Sequence, residues 1–322
     1  MTAYRYLLAT LLSLHCLLGT GRPLPHAASF SLPSPMPTAN ATRLHADVEF
    51  LTSLEPARNY QNLASLNKAA DYIHSELAKL GCPVQEQKYR VEGHEYRNII
   101  ASFGPATAER IIVGAHYDVC GDQPGADDNA SAVAGLLETA RLLHAQAPTL
   151  KHRIDFVAFS LEEPPFFATK HMGSAVHAQS LHEAKVPVRA MICYEMIGYF
   201  RDEPGSQRFP DPALAKLYPS TGNFITVVGQ LGQEAFTQQM KTLMQAHSTI
   251  DVQSINLPAN QSLAGLSDHR NYWHHGYQAV MINDTSFLRN PNYHQATDTI
   301  DTLDFRRMAE VVNGVYGALL AL

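Results

Sequence analysis

Residues 110–118 read RIIVGAHYD, an apolar run that ends abruptly in a histidine and an aspartate. The same plan recurs in RIDFVAFSLEE (153–163), VRAMICYEMIG (188–198) and QAVMIND (278–284). Strands that are apolar throughout, rather than alternating with polar residues, are buried on both faces, as in parallel sheets. NIIASF (98–103) and NFITVVGQ (223–230) read as further strands. Helical spacing fills the intervals at 44–54, 62–81, 131–146, 172–184, 232–247 and 304–321. In the second of these, Leu66, Ala69, Ala70, Ile73, Leu77 and Leu80 form one stripe, and Gly81 supplies a stop. Alternating strands and helices predict an α/β fold, a three-layer α/β/α sandwich with a mixed, mainly parallel central sheet.

Composition narrows the function. The chain has 322 residues, 24 Lys+Arg against 30 Asp+Glu, a formal net charge of −6 and 45% hydrophobic residues. A full core is affordable and wholesale disorder is excluded. An acidic balance with no Lys/Arg run gives no footprint for nucleic acid. At the start, Arg5 precedes the apolar run YLLATLLSLHCLLGTG (6–21), and a Pro-rich tract reaches Pro37. We read residues 1–28 as a secretory signal with Ala27-Ala28-Ser29 as a cleavage candidate, 29–43 as a linker and 44–322 as the catalytic domain. The apolar run is short for a membrane span, so export to the periplasm or beyond is expected, without stable insertion after signal removal. Anchoring as a lipoprotein through Cys16 is the lesser alternative, because His15 poorly suits such a signal. Cys82, Cys120 and Cys193 remain, an odd number without a CxxC, so one bridge with one free thiol is the most they allow. No thiolate zinc site is indicated, and Cys120 reads as a packed or bridged residue.

The chemistry lies where the polar residues fall. Ligands of parallel α/β sheets bind beyond the carboxyl ends of the strands. His116 and Asp118 end the first run, Glu162 and Glu163 the second, and Glu195 the third. Tyr293-His294 closes the loop after QAVMIND, and Gly125-Ala126-Asp127-Asp128-Asn129 precedes the helix at 131. Paired divalent cations need a shared carboxylate, terminal His and Asp/Glu ligands, and a position left for water. A further carboxylate must carry the proton from water to a leaving amine.

The ordered set HYD, GADDNAS, SLEEPPFF, CYEMIGYF, SDH and NPNYH resembles the zinc-dependent M28 peptidases over roughly residues 44–322. The resemblance implies two zinc ions per chain. It implies that His116 and Glu195 hold one ion, Glu163 and His294 the other, and Asp128 both. It makes Glu162 the general base and later acid, and Tyr293 a stabiliser of the tetrahedral oxyanion. Asp118 would orient His116, Asp127 and Asp268 would support the ligands, and a cis peptide would join Asp127 to Asp128. The implied activity is a zinc-dependent exopeptidase acting on peptide substrates, most simply an aminopeptidase. Glu195, where many aminopeptidase members have Asp, keeps a carboxypeptidase-type relative open. Phe166 and Phe167 either line the substrate pocket or pack beneath it.

Taken singly, each residue has an ordinary explanation: a hydrogen-bonded core histidine, a solvated strand end, or aspartates capping a helix. Five such clusters at one sheet edge are not ordinary together. His171, His177 and His182 share no helix face, and His274 and His275 have no partner pattern, so these read as packing or surface residues. Two other functions fit the same scaffold: a glutaminyl cyclase-like acyltransferase with one zinc, and a binding module without catalysis. Asn129 is a glycosylation sequon, but a glycan there would crowd the site.

Overall fold

Asn40 opens the first helix, its side-chain oxygen accepting from the backbone N–H groups of Thr42 and Arg43, donors that a first turn leaves unpaired. Helix α1 (Ala41–Thr52) thus begins inside the stretch read as linker. In α2 (Leu63–Ala78) the stripe Leu66, Ala69, Ala70, Ile73 and Leu77 is buried. The computed structural model describes residues 36–259 and 263–322. The expected signal at 1–28, with Cys16, and the linker up to residue 35 lie outside the described residues.

An antiparallel hairpin follows, β1 (Val84–Val91) and β2 (His94–Phe103). Sequence patterning did not reveal β1, because VQEQKYRV is an edge strand whose residues are mostly exposed or half-buried. Then come β3 (Arg110–His116), α3 (Ala132–Gln146), β4 (Arg153–Phe159), α4 (Gly173–Glu183) and β5 (Val188–Glu195). The remainder is β6 (Phe224–Gln230), α5 (Glu234–His247), β7 (Asp251–Leu257), α6 (His269–His274), β8 (Ala279–Asn283) and α7 (Phe305–Ala321). The eight strands form one sheet in the order β1-β2-β4-β3-β5-β8-β6-β7. Its centre is parallel, β3 with β4 and β5, β5 with β8, and β6 with β7. Antiparallel pairs join β2 to β4 and β6 to β8.

Side chains along β3 alternate between two cores. Ile111, Val113 and Ala115 pack in one with buried residues of α1, α2, α3, α5 and α7. Ile112 joins the other, with Ala178 and Leu181 of α4 and Tyr272 and Trp273 of α6. Helices therefore cover both faces, which is the three-layer sandwich. Residues Pro37–Leu322 make one compact unit. No helix among the described residues is long and apolar enough to cross a membrane.

Register decides what happens at the strand ends. His116 lies opposite Phe159, and Glu195 opposite Asn283, so β3, β4, β5 and β8 finish together on one edge. β4 stops at Phe159, earlier than its acidic tail suggests. Leu161 turns the chain at φ +62°, and Glu162 and Glu163 sit in that turn rather than on the strand.

Candidate metal centre

Asp128 stands at the middle of the edge, 4% exposed, on a loop shaped by Gly125. That glycine has φ +61°, and a Cβ on it would fall 2.4 Å from the Asp128 carbonyl oxygen and 2.3 Å from Val119. No other residue fits there without moving the loop. The two carboxylate oxygens of Asp128 face opposite groups. His116 Nε2 is 3.4 Å from Oδ1 and 3.3 Å from Glu195 Oε2. His294 Nε2 is 3.1 Å from Oδ2 and 3.3 Å from Glu163 Oε2. Donors about 2.1 Å from a tetrahedral zinc lie about 3.4 Å apart, and the four histidine–carboxylate separations match that length. Among the described residues, His294 Nε2 is buried without a hydrogen-bond partner despite these neighbours, and so is Glu163 Oε1. Such atoms are costly unless something else meets them. The residues present fit a pair of divalent cations sharing Asp128.

The expected supporting residues Asp118, Asp127 and Asp268 are all buried, but none hydrogen-bonds a candidate ligand side chain through its carboxylate among the described residues. Asp118 touches His116 Nδ1 through its backbone carbonyl, at 3.2 Å, while its carboxylate stays 3.6 Å away. That carboxylate instead accepts from the backbone N–H groups of Glu162 and Glu163, each at 3.1 Å. One aspartate thereby fixes both acids of the turn. The cis peptide lies one bond beyond the expected place, between Asp128 and Asn129. The N–H groups of Asp127 and Asp128 both donate to the Asp298 carboxylate, at 2.9 and 3.0 Å, and the cis bond follows that pair. Asp127 instead accepts from Gly198 N at 3.0 Å and Asn290 Nδ2 at 2.7 Å.

Several positioning groups escaped the sequence reading. Asp298 is one; an acid four residues past His294 in a polar loop was the available signal. Arg58 is another, wholly buried. Its guanidinium donates to the carbonyls of Tyr117, at 3.0 Å, and Gly125, at 2.7 Å, tying the His116 loop to the Asp128 loop. Ser267 donates to Glu195 Oε2 at 2.5 Å. Asn129 is fully buried, its Oδ1 accepting from Met196 N at 2.9 Å. Asp268 is also fully buried, and neither carboxylate oxygen has a hydrogen-bond partner among the described residues. Phe166 packs edge-on against Tyr60, whereas Phe167 lines the cavity beside the acids. His177 is a core residue bonded to Tyr272, and His182 stacks on His275 away from the centre. Cys82, Cys120 and Cys193 are all free thiols. Cys120 has company the sequence did not suggest: Sγ, a Glu163 oxygen and a His294 ring nitrogen lie within 4.8 Å of one another.

Electrostatics follow from crowding acids out of water. Burial pushes Glu162 well above the usual carboxylate range, reinforced by Glu163 and Glu195 and opposed by His116. Burial and Asp128 raise Glu163 to about 8. For Asp128 burial is outweighed by the imidazoles of His116 and His294, which hold it low. Burial works against protonating His294, yet Asp128 and Glu163 push it up to about 10. The cluster wants positive charge at the two places where the donors converge. Tyr293 is driven far up by burial and the surrounding acids, so its hydroxyl stays a hydrogen-bond donor.

Beside the acids opens an apolar cavity of about 200 Å³. Phe167, Phe209, Phe224, Val228, Leu257 and Met281 line it. Among the described residues that line it there is no Arg or Lys.

A three-layer α/β sandwich with an acid–histidine cluster at its carboxyl edge defines the zinc-dependent exopeptidase architecture. The chain belongs to peptidase family M28, whose model matches residues 98–318. It is 45% identical over 293 residues to the uncharacterized protein YfbL of Escherichia coli, spanning 88% of this chain and 89% of that one. It is 30% identical over 230 residues to the probable lipoprotein aminopeptidase LpqL of Mycobacterium tuberculosis, covering 68% of this chain but 43% of the relative. Among solved structures, the Legionella pneumophila LapA aminopeptidase superposes with TM-score 0.70 at 20% identity, over 87% of this chain and 71% of that one. The Porphyromonas gingivalis glutaminyl cyclase superposes with TM-score 0.65 at 21% identity, over 87% and 98%. These likenesses show the fold.

Proposed function

We propose that the chain is an exported aminopeptidase, with two zinc ions, that prefers peptides with an apolar N-terminal residue. One observation carries the reading: both oxygens of Asp128 face a histidine–carboxylate pair, while Glu162 stands beside them unshared. His116, Asp128 and Glu195 would hold one cation, and Asp128, Glu163 and His294 the other. When bound, the cations lower the pKa of water and polarise the carbonyl. Glu162 takes the proton from the attacking water and delivers it to the leaving amine; its raised proton affinity suits that exchange. Tyr293 donates a hydrogen bond to the oxygen that gains charge, a contact stronger in the transition state than in the ground state.

The end attacked follows from charge. A free α-amine is a cation and suits a cavity whose polar wall is acidic. A C-terminal carboxylate is usually met by a guanidinium or ammonium group, and no Arg or Lys is among the described residues that line the cavity. The apolar wall then takes the first side chain. Export rests on the reading of residues 1–28 and on the lipoprotein name of LpqL. Digestion of a peptide library by the zinc-loaded enzyme, followed by mass spectrometry, tests all of this. Stepwise loss of Leu, Phe or Met from the N-terminus is expected, with acidic residues poorly released. Release from the C-terminus, or ammonia loss from N-terminal Gln without hydrolysis, would overturn the reading.

A further inference from the structure

The three cysteines among the described residues differ sharply in surroundings. Cys193 is fully buried, with Sγ 3.3 Å from the Ser267 hydroxyl. Cys82 lies at the far side of the molecule, its thiol near the Leu77 carbonyl at 3.6 Å. Cys120 alone stands among ligands. It is half-buried, and its sulfur shares a 4.8 Å cluster with donor atoms of Glu163 and His294. A second observation points to a ligand at that spot. Glu163 is only 5% exposed, and its Oε1 has no hydrogen-bond partner among the described residues. The buried Nε2 of His294 has none either, although two carboxylate oxygens lie within 3.3 Å.

We propose that Cys120 is a third anionic protein donor to the cation held by Glu163 and His294. The inference rests on the two-cation reading and goes beyond it, because oxygen and nitrogen donors alone account for that reading. On ligation the thiol loses its proton to solvent as the sulfur–metal bond forms, which is the usual consequence of coordination. A thiolate changes the preference of the position. Soft donors favour zinc, cadmium and cobalt over manganese and magnesium, whereas carboxylates and imidazole discriminate less. The second position thus becomes selective, while the first, made by His116, Asp128 and Glu195, stays permissive.

Cobalt(II) reads the sulfur directly, through thiolate-to-cobalt charge-transfer absorption in the near ultraviolet. The full chain is stripped with chelator, titrated with cobalt chloride without oxygen, and its bound metal counted in parallel. The band is expected in the wild type and in a Cys16→Ser, Cys82→Ser double variant, and to be absent from Cys120→Ser. The ratio of cadmium to manganese affinity should fall at least about tenfold in Cys120→Ser, the lower end of losses on removing even an outer partner of a ligand. In the unmutated chain, bound zinc should also protect Cys120, and not Cys82, from alkylation, a readout that needs no variant. A chain that binds two cobalt ions without the band overturns the cysteine assignment and leaves the two-cation reading standing. A band that persists in Cys120→Ser does the same. A chain that binds no cobalt overturns both.

Discussion

Asp128 and Glu162 divide the work of the centre between holding and reacting. Asp128 touches both imidazoles through separate oxygens, so Asp128→Ala should weaken both cations at once. The loss, read by calorimetric titration with zinc, should exceed the 10–100-fold typical of an outer partner. Loss of one cation with the other intact would contradict the shared role. Glu162 lies 3.8 Å from His116 Nε2 and belongs to neither group of three. Glu162→Gln should therefore keep its metal content and lower kcat by about 10²–10⁴-fold. Near-normal turnover in a metal-replete variant would remove Glu162 from the proton path. Glu162 was legible in the sequence because it ends an apolar run, where a charge is otherwise expensive, and Asp128 because it sits in an acidic pair just before an apolar helix. Cys120 was not legible, since its partners Glu163 and His294 lie on other loops and no second cysteine marks it.

Loops and strand ends, rather than single side chains, set the geometry. The four central strands were readable because burial on both faces makes them continuous in Val, Ile, Ala and Phe. β1 and β7 lack that signal: both are edge strands, and β7 (DVQSINL) is mostly half-buried. α6 is a single short helix of six residues, too brief for periodicity to declare. The turn carrying Glu162 and Glu163 was read as strand, because nothing local announces the positive φ of Leu161. Long-range hydrogen bonds do the rest. Asp298 grips the backbone of Asp127 and Asp128 from 170 residues away. Asp298→Ala should lower zinc affinity about 10–100-fold with little change in the far-ultraviolet circular dichroism. Unaltered affinity would mean that the Gly125 turn and Arg58 fix the loop without it.

At the scale of the whole molecule, two cores enclose the sheet, and buried histidines tie stability to pH. His177 is pushed down to about 4 by burial, with the Tyr272 hydroxyl hydrogen-bonded to its Nδ1 across 2.6 Å. An unfolded histidine binds its proton near 6.5. Between those values the unfolded chain holds a proton that the folded chain refuses, so stability is lost as pH falls through this window. His177→Gln removes that loss. The gap in thermal midpoint between wild type and His177→Gln should therefore shift against the wild type from pH 7 to pH 4, and stay constant above pH 7. A gap independent of pH would show that His177 titrates normally in the fold. His269, lowered to about 3 by burial, sets the same slope from the α6 side, which is why the comparison uses a difference between chains.

The centre itself is tested most directly by anomalous diffraction at the zinc edge from crystals of the zinc-loaded chain. Two peaks are predicted, one among His116, Asp128 and Glu195 and the other among Asp128, Glu163 and His294, with Cys120 sulfur beside the second. A single peak at full loading, or peaks remote from Asp128, would contradict the account.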